Sequence, residues 1–297
     1  MTVVFHKMTG SGNDFVVLDG RTTDRGHWTP ERIAQICDRR DGVGGDGLVI
    51  VTPIGPDHVR MTYFNSDGSR ADMCGNAALC TTRLAARLEM ADPSGMTLST
   101  DAGTFRSRCV GDGHQAEINL PDVDIPVEAG IPLVAGERAL TLGAVGVPHL
   151  VAVVDDVTEV DIDNRGRELR YHLGAGRNGA NANFVSRTSR STGTGGGETS
   201  DRSISSATGD GETSLEDADW AIRTYERGVE GETLACGTGT VAAALAVAAS
   251  GADSLPLRFR SGSGRILAVS ATITDGRATD IWLCGEGRLV ARGVWLD

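Results

Sequence analysis

Residues 73–80 read MCGNAALC and residues 235–242 read ACGTGTVA. A Cys-Gly step opening a run of small residues is thus written twice, more than half the chain apart. GNAALCTTRLAARLEM, after Cys74, spaces its apolar residues as on one face of a helix. GTGTVAAALAVAASG, after Cys236, is so rich in alanine and valine that its helix must be buried on nearly all sides, and Gly251 is placed to end it. Each thiol therefore stands at the mouth of a central helix, beside glycine. The repeat predicts an α/β (α+β) chain of two pseudo-symmetric halves, each delivering one thiol.

Between these landmarks the N-terminal third alternates apolar strands with turns. VVFHKMTG and FVVLD read as strands flanking GSGND, and LVIVTP and VRMTYFNSDGS as two more. WTPERIAQICDRRDG reads as a helix capped by Thr29, with Pro30 in its first position and Ile33, Ile36 and Cys37 as its apolar face. The stretch 186–219 is almost without apolar side chains and rich in Ser, Thr, Gly and acids. It cannot bury enough surface to offset its ordering entropy, which predicts a flexible insertion.

At 297 residues the chain can bury a substantial core. Its formal charge of −12 works against nucleic acid and anionic membranes as partners. MTVVFHKMTG lacks the form of a signal peptide, and VAAALAVAAS is too short to span a bilayer, so a cytoplasmic location is expected. The six cysteines form no CxxC pair and have no His-rich partner stretch, which argues against a metal site. Cys37, Cys80, Cys109 and Cys284 read as small buried apolar residues.

Cys74 and Cys236 are different. A helix N-terminus offers unpaired N–H groups and partial positive charge, which favour a substrate carboxylate and a thiolate alike. Two such mouths acting on one carboxylate would put a sulfur on either side of the adjacent carbon. One thiolate can then remove the α-proton while the other thiol donates from the opposite face, the arrangement of a racemase or epimerase. Pyridoxal phosphate would need a lysine tether, and Lys7 is the only lysine, so no cofactor is expected.

Six blocks carry a family resemblance: MTGSGNDFVVLD (8–19), GVGGDGLV (42–49), YFNSDGSRADMCGNAALC (63–80), GVPHLV (146–151), GANANFV (179–185) and TYERGVEGETLACGTGTVAAA (224–244). Together they resemble diaminopimelate epimerase. The resemblance implies two domains, each a curved, mostly antiparallel sheet wrapped around a central helix. The expected division is 1–122 plus 286–297 against 123–285, with GRLVARGVWLD returning to the first domain. It implies cofactor-free interconversion of LL- and meso-2,6-diaminoheptanedioate in lysine biosynthesis, with that small molecule as partner and a homodimer left open.

Carried over by motif, Cys74 and Cys236 are the acid–base pair. Asn13, Asn65 and Asn181 contact substrate, and Glu226 and Arg227 read its polar groups. Gly75-Asn76 and Gly237-Thr238 supply N–H groups to the reacting carboxylate, while His149 and Glu226 sit near the thiols and adjust their acidity. Read singly, Asn13, Asn65 and Asn181 would be turn residues, His149 a structural histidine, and Glu226–Arg227 surface charges. Two positions depart from the family pattern: Val147, usually Asn, and Gly47, where some members carry Gln. The alternatives are a racemase of another amino acid such as proline, whose family typically has His at the place of Asn76, and a non-catalytic amino-acid-binding protein.

Overall fold

The computed structural model describes residues 2–188 and 218–296, so most of the 186–219 insertion (189–217) lies outside the described residues. The chain forms two compact units, Met1–Leu120 with Cys284–Asp297, and Pro121–Leu283.

The first unit opens with β1 (Thr2–Gly10) and β2 (Asn13–Asp19), followed by α1 (Pro30–Cys37), β3 (Gly47–Gly55), β4 (His58–Asn65) and β5 (Arg70–Ala71). After these come α2 (Gly75–Arg87), β6 (Met96–Thr100), β7 (Gly103–Val110) and β8 (Gln115–Leu120). Strands β1 and β2 pair antiparallel, β2 and β3 parallel, and β3 and β4 antiparallel. Beyond β4, β5 adds antiparallel and β6 parallel, and β7 and β8 follow antiparallel.

Both faces of this sheet are covered. Val16, Leu18, Leu48 and Ile50 pack with Ile33, Ile36 and Cys37 of α1 and with Trp28 and Trp295. Successive strand residues point to opposite faces, so Phe15, Val17 and Val49 turn the other way, where α2 packs against β1–β4 and β6–β8. Thr29 caps α1 by accepting from the Arg32 N–H at 3.4 Å. The helix ends at Cys37, shorter than the sequence suggests. The Asp38 carboxylate there collects the N–H groups of Arg40 and Asp41, each at 2.7 Å, and folds the chain into a turn.

The second unit starts with β9 (Val123–Asp124), β10 (Val127–Glu128), β11 (Glu137–Val145) and β12 (Val147–Val154), then α3 (Arg167–Tyr171) and β13 (Asn181–Arg187). It continues with β14 (Trp220–Glu226), β15 (Gly231–Thr233), α4 (Gly237–Ala249), β16 (Leu257–Arg260), β17 (Ile266–Thr274) and β18 (Arg277–Glu286), the last running past the unit boundary. The pairing scheme repeats: β11/β12 antiparallel, β12/β13 parallel, β13/β14 and β14/β15 antiparallel, β14/β16 parallel and β16/β17 antiparallel.

Again a helix mouth follows a short strand, here β15, and α4 packs on β11, β12, β13 and β17. Gly251, at φ +72°, takes the left-handed position just past the helix end. The 162–175 segment takes the part of α1, burying Ile162, Leu169 and Ala175 against Leu150, Ala152, Ala182 and Phe184. The two units are therefore internally alike, a topological duplication that the paired Cys-Gly motifs announce. The final strand, β19 (Arg288–Leu296), pairs antiparallel with β1.

Ser186 and Arg187, counted with the insertion from sequence, are the last residues of β13 and pair with Ala221 and Trp220. Cys37, Cys80 and Cys284 are buried, but Cys109 is only partly covered on β7, its Sγ 4.0 Å from the Thr82 carbonyl. No described helix is long and apolar enough to cross a membrane. Among the described residues, no cluster of His, Cys, Asp and Glu could hold a metal ion.

Candidate active site

In the first unit Cys74 is the N-cap of α2, in extended conformation at φ −139°, and makes no side-chain bond to the helix's own first turn. The first intrahelical bond runs from Ala78 N to Cys74 O at 2.9 Å, so the N–H groups of Gly75, Asn76 and Ala77 have no partner within the helix. The helix mouth is pressed against β1. A Cβ on Gly10 would stand 2.5 Å from the Asn76 carbonyl oxygen and 3.0 Å from Cys80 Sγ, so only glycine permits this approach.

Asn76, buried at 2% exposure, donates from Nδ2 to Asn13 Oδ1 at 2.7 Å. These two sequence-predicted residues are thus in direct contact. Asn65 Nδ2 donates to Ser69 Oγ at 3.0 Å within its own turn, where Asp67 also accepts from the Ser69 N–H. Its structural role as a turn residue is visible.

Lys7 is held by the Asp14 carboxylate and the Gly44 carbonyl. Burial alone would raise the Asp14 pKa, but bonds from Arg39 and Lys7 outweigh it and hold the carboxyl down to about 2.

In the second unit Cys236 caps α4 in the same way, extended at φ −131°, again with no side-chain bond to the helix's own amides. Thr240 N reaches back to Cys236 O at 2.9 Å, leaving Gly237, Thr238 and Gly239 as the unbonded first-turn donors. The Thr238 hydroxyl lies 3.8 Å from Cys236 Sγ, and the thiol side chain is buried to 8% exposure.

Asn181 opens β13 directly beside His149 of β12 in the parallel register. It accepts from the Arg227 N–H at 2.7 Å, which fixes the chain where it leaves β14. Glu226, the last residue of that strand, has its carboxyl pushed up by burial, partly opposed by the Thr233 hydroxyl.

His149 is fully buried. Desolvation first, and then the Arg227 guanidinium, push its pKa down to about 3 against a smaller opposing contribution from the Val145 carbonyl. Its ring is neutral at physiological pH. Asn183 Nδ2 donates to the Leu150 carbonyl at 2.9 Å and lies 3.3 Å from His149 Nδ1. The carbonyl can only accept, so the amide nitrogen must face this way, and its second hydrogen meets Nδ1. That contact favours the lone pair on Nδ1 and the proton on Nε2. Nε2 itself is buried with no hydrogen-bond partner, leaving a neutral donor.

Asn183 and Thr224, which donates to Asn183 Oδ1 at 3.0 Å, were not singled out from the sequence. Asn181 and Asn183 are two apart on a strand and so share a face. That repeat within GANANFV is the signal that could have found Asn183. A Cβ on Gly239 would stand 2.3 Å from Asn183 Oδ1 and 3.2 Å from Cys236 Sγ, so the amide and the thiol crowd one glycine.

Each unit thus builds a thiol-capped helix mouth whose first amides are unbonded, backed by asparagines in fixed orientation. Comparison with known proteins identifies the family. The family model for diaminopimelate epimerase covers residues 5–124 and 141–278. A diaminopimelate epimerase of Gemmatimonas aurantiaca is 42% identical, over 97% of this chain and 98% of its own. One from Aquifex aeolicus is 32% identical, over 89% and 88%. A solved structure of an Enterococcus faecalis PhzF-family phenazine biosynthesis protein shares the fold at a TM-score of 0.67, with 13% identity and full coverage of both chains. Both helix mouths and every block that carries the resemblance fall inside the matched residues, and the chain belongs to the diaminopimelate epimerase family.

Proposed function

We propose that this protein interconverts LL- and meso-2,6-diaminoheptanedioate, a step of lysine biosynthesis, with no cofactor and with Cys74 and Cys236 as the acid–base pair. The observation that carries the reading is the duplication of the site. Two family-type motifs each set a thiol at N-cap with three unbonded amides behind it. One thiolate takes the α-proton. The electron pair left on carbon spreads into the carboxylate, whose growing negative charge is met by backbone N–H groups. The second thiol then returns a proton to the other face, and the enzyme finishes with the two sulfurs in exchanged protonation states. A single cysteine fixed on one face could return a proton only to that face.

Glu226, with its raised pKa, and His149, as a neutral ring, tune the polarity around the reacting groups. Asn13, Asn65, Asn181 and Arg227 bind substrate in this reading. Purified protein with no added cofactor is expected to exchange the substrate α-hydrogen for deuterium from solvent with either isomer. Cys74→Ala and Cys236→Ala should each abolish net epimerisation. Folded protein that exchanges neither isomer defeats the proposal, and turnover of proline instead would redirect it to the racemase reading.

A further inference from the structure

Asp46, in the loop before β3, accepts from Arg39 Nη2 at 2.7 Å, from Asn13 Nδ2 at 2.9 Å and from the Asp14 N–H at 3.2 Å. An ionised carboxylate has acceptors only. Asn13 must therefore turn its nitrogen toward Asp46 and its oxygen toward Asn76, and Asn76 must answer with Nδ2, at 2.7 Å. The sense of the second amide follows from the first. With Nδ2 so committed, Asn76 Oδ1 points away from the relay, and it is buried with no hydrogen-bond partner. Asn76 is 2% exposed, so bulk water does not satisfy that oxygen.

We propose that Asp46 is a positioning residue. It fixes the polarity of the Asn13–Asn76 amide pair, so that Asn76 Oδ1 is held as an acceptor for the ammonium group of an α-amino-acid ligand. The ligand assignment rests on the epimerase reading above. Among the charged groups of 2,6-diaminoheptanedioate, the carboxylates carry no hydrogen to donate and the ammonium groups do. Asn76 then reads both substituents of one α-carbon, the carboxylate through its main-chain N–H and the ammonium through its side-chain oxygen. A reversed relay would present an NH₂ group and repel the ammonium.

The probes are 2-aminoheptanedioate and heptanedioate, which differ only in one ammonium, titrated calorimetrically into the full chain. The wild type should prefer the amino acid. Asp46→Asn, which can offer Asn13 a donor as readily as an acceptor, should reduce that preference by about tenfold or more, the worth of one bond to a charged group. Affinity for heptanedioate should move by less than about threefold, on the scale of a surface change. Asp46→Glu should keep most of the preference. In turnover, Asp46→Asn should raise KM for diaminoheptanedioate with kcat little changed.

Asn13→Ser breaks the relay one link later, leaves the Arg39–Asp46 pair intact, and should lose the same preference even if Asp46→Asn does not fold. Equal weakening of both acids marks a merely structural loop and overturns the proposal. So does an unchanged preference in both variants, or a wild type that binds the two acids alike or binds neither. Binding of 2-aminoheptanedioate with the expected preference, by protein that exchanges the α-hydrogen of neither diaminoheptanedioate isomer, would instead sink the epimerase reading and leave the relay standing.

Discussion

Asn183 assigns His149 its tautomer: the amide nitrogen, pinned 2.9 Å from the Leu150 carbonyl, meets His149 Nδ1 at 3.3 Å. This contact favours the proton on Nε2. A long-range proton–nitrogen correlation spectrum of histidine-labelled protein should show His149 neutral and protonated at Nε2 at pH 7. Asn183→Asp would set a buried acceptor against the Leu150 carbonyl and should pull a proton onto Nδ1, destabilising the fold by about 3 kcal/mol or more. An Nδ1–H signal in the wild type would refute the assignment.

The same burial makes stability depend on pH. In the fold His149 binds a proton only near pH 3, whereas the unfolded chain binds it near 6.5. Between those values the unfolded state holds the extra proton, so stability falls as the pH is lowered, by up to about 1.4 kcal/mol per pH unit. Below about pH 3 the slope from this group vanishes. His149→Gln should flatten the curve in that window. The carboxylates titrate in both chains alike, so the difference in denaturant midpoint between wild type and variant isolates the histidine.

Gly239→Ala sets two opposed effects against each other. Alanine in a helix gains up to about 1 kcal/mol over glycine, and less in the first turn where Gly239 lies. Here the new methyl would stand 2.3 Å from Asn183 Oδ1, an amide tied to Leu150 and Thr224, and such overpacking costs about 1–3 kcal/mol. The clash should win, lowering Tm. Because Cys236 Sγ is the next neighbour at 3.2 Å, activity should fall by more than the stability loss explains. A Tm at or above wild type would show that Asn183 yields.

How far the site could be read in advance depended on the range of the interactions. The Thr29 cap, the two helices after Cys74 and Cys236, and the buried all-apolar α4 follow from periodicity and neighbours a turn apart, so they were legible. The family motifs added the names of the contact asparagines. Asp46 and Asn183 were not legible, because their meaning lies in partners such as Asn13 and His149, 33 and 34 positions away along the chain. Cys109 differs for a local reason: β7 alternates buried and exposed positions and loses the alternation at its end, where the thiol lies. The short helical segment before Tyr171 is a five-residue α3 preceded by one wide turn, too short and too polar to declare a period.

Gly47 tests one departure from the family pattern. A Cβ there would meet the Phe64 carbonyl at 2.5 Å and Tyr63 Cε2 at 2.6 Å. Gly47→Gln should therefore destabilise the first unit by about 1–3 kcal/mol. Adding Tyr63→Ser should not restore stability, since the Phe64 carbonyl belongs to the paired backbone of β4 and cannot step aside. Recovery of the wild-type Tm in the double variant would mean that the ring alone excludes the longer side chain.

The remaining thiols set a background against which the proposed pair can be tested. Burial pushes the Cys37 thiol up to about 12, which leaves about one part in ten thousand ionised at pH 8. Cys80 is raised well above its ordinary value, again first by burial. Cys109 is raised less, with Arg83 opposing the desolvation, and it is the one of these three with surface to spare. Iodoacetamide at pH 8 acting on a native Cys74→Ser/Cys236→Ser protein should therefore label Cys109 slowly and leave Cys37 and Cys80 untouched, as peptide mass spectrometry would show. In the parent protein any fast label should map to Cys74 or Cys236, and activity should decay at that labelling rate. Activity that survives full modification of either cysteine would remove it from the acid–base pair, and early labelling of Cys37 or Cys80 would show that the sheet opens more readily than its packing implies.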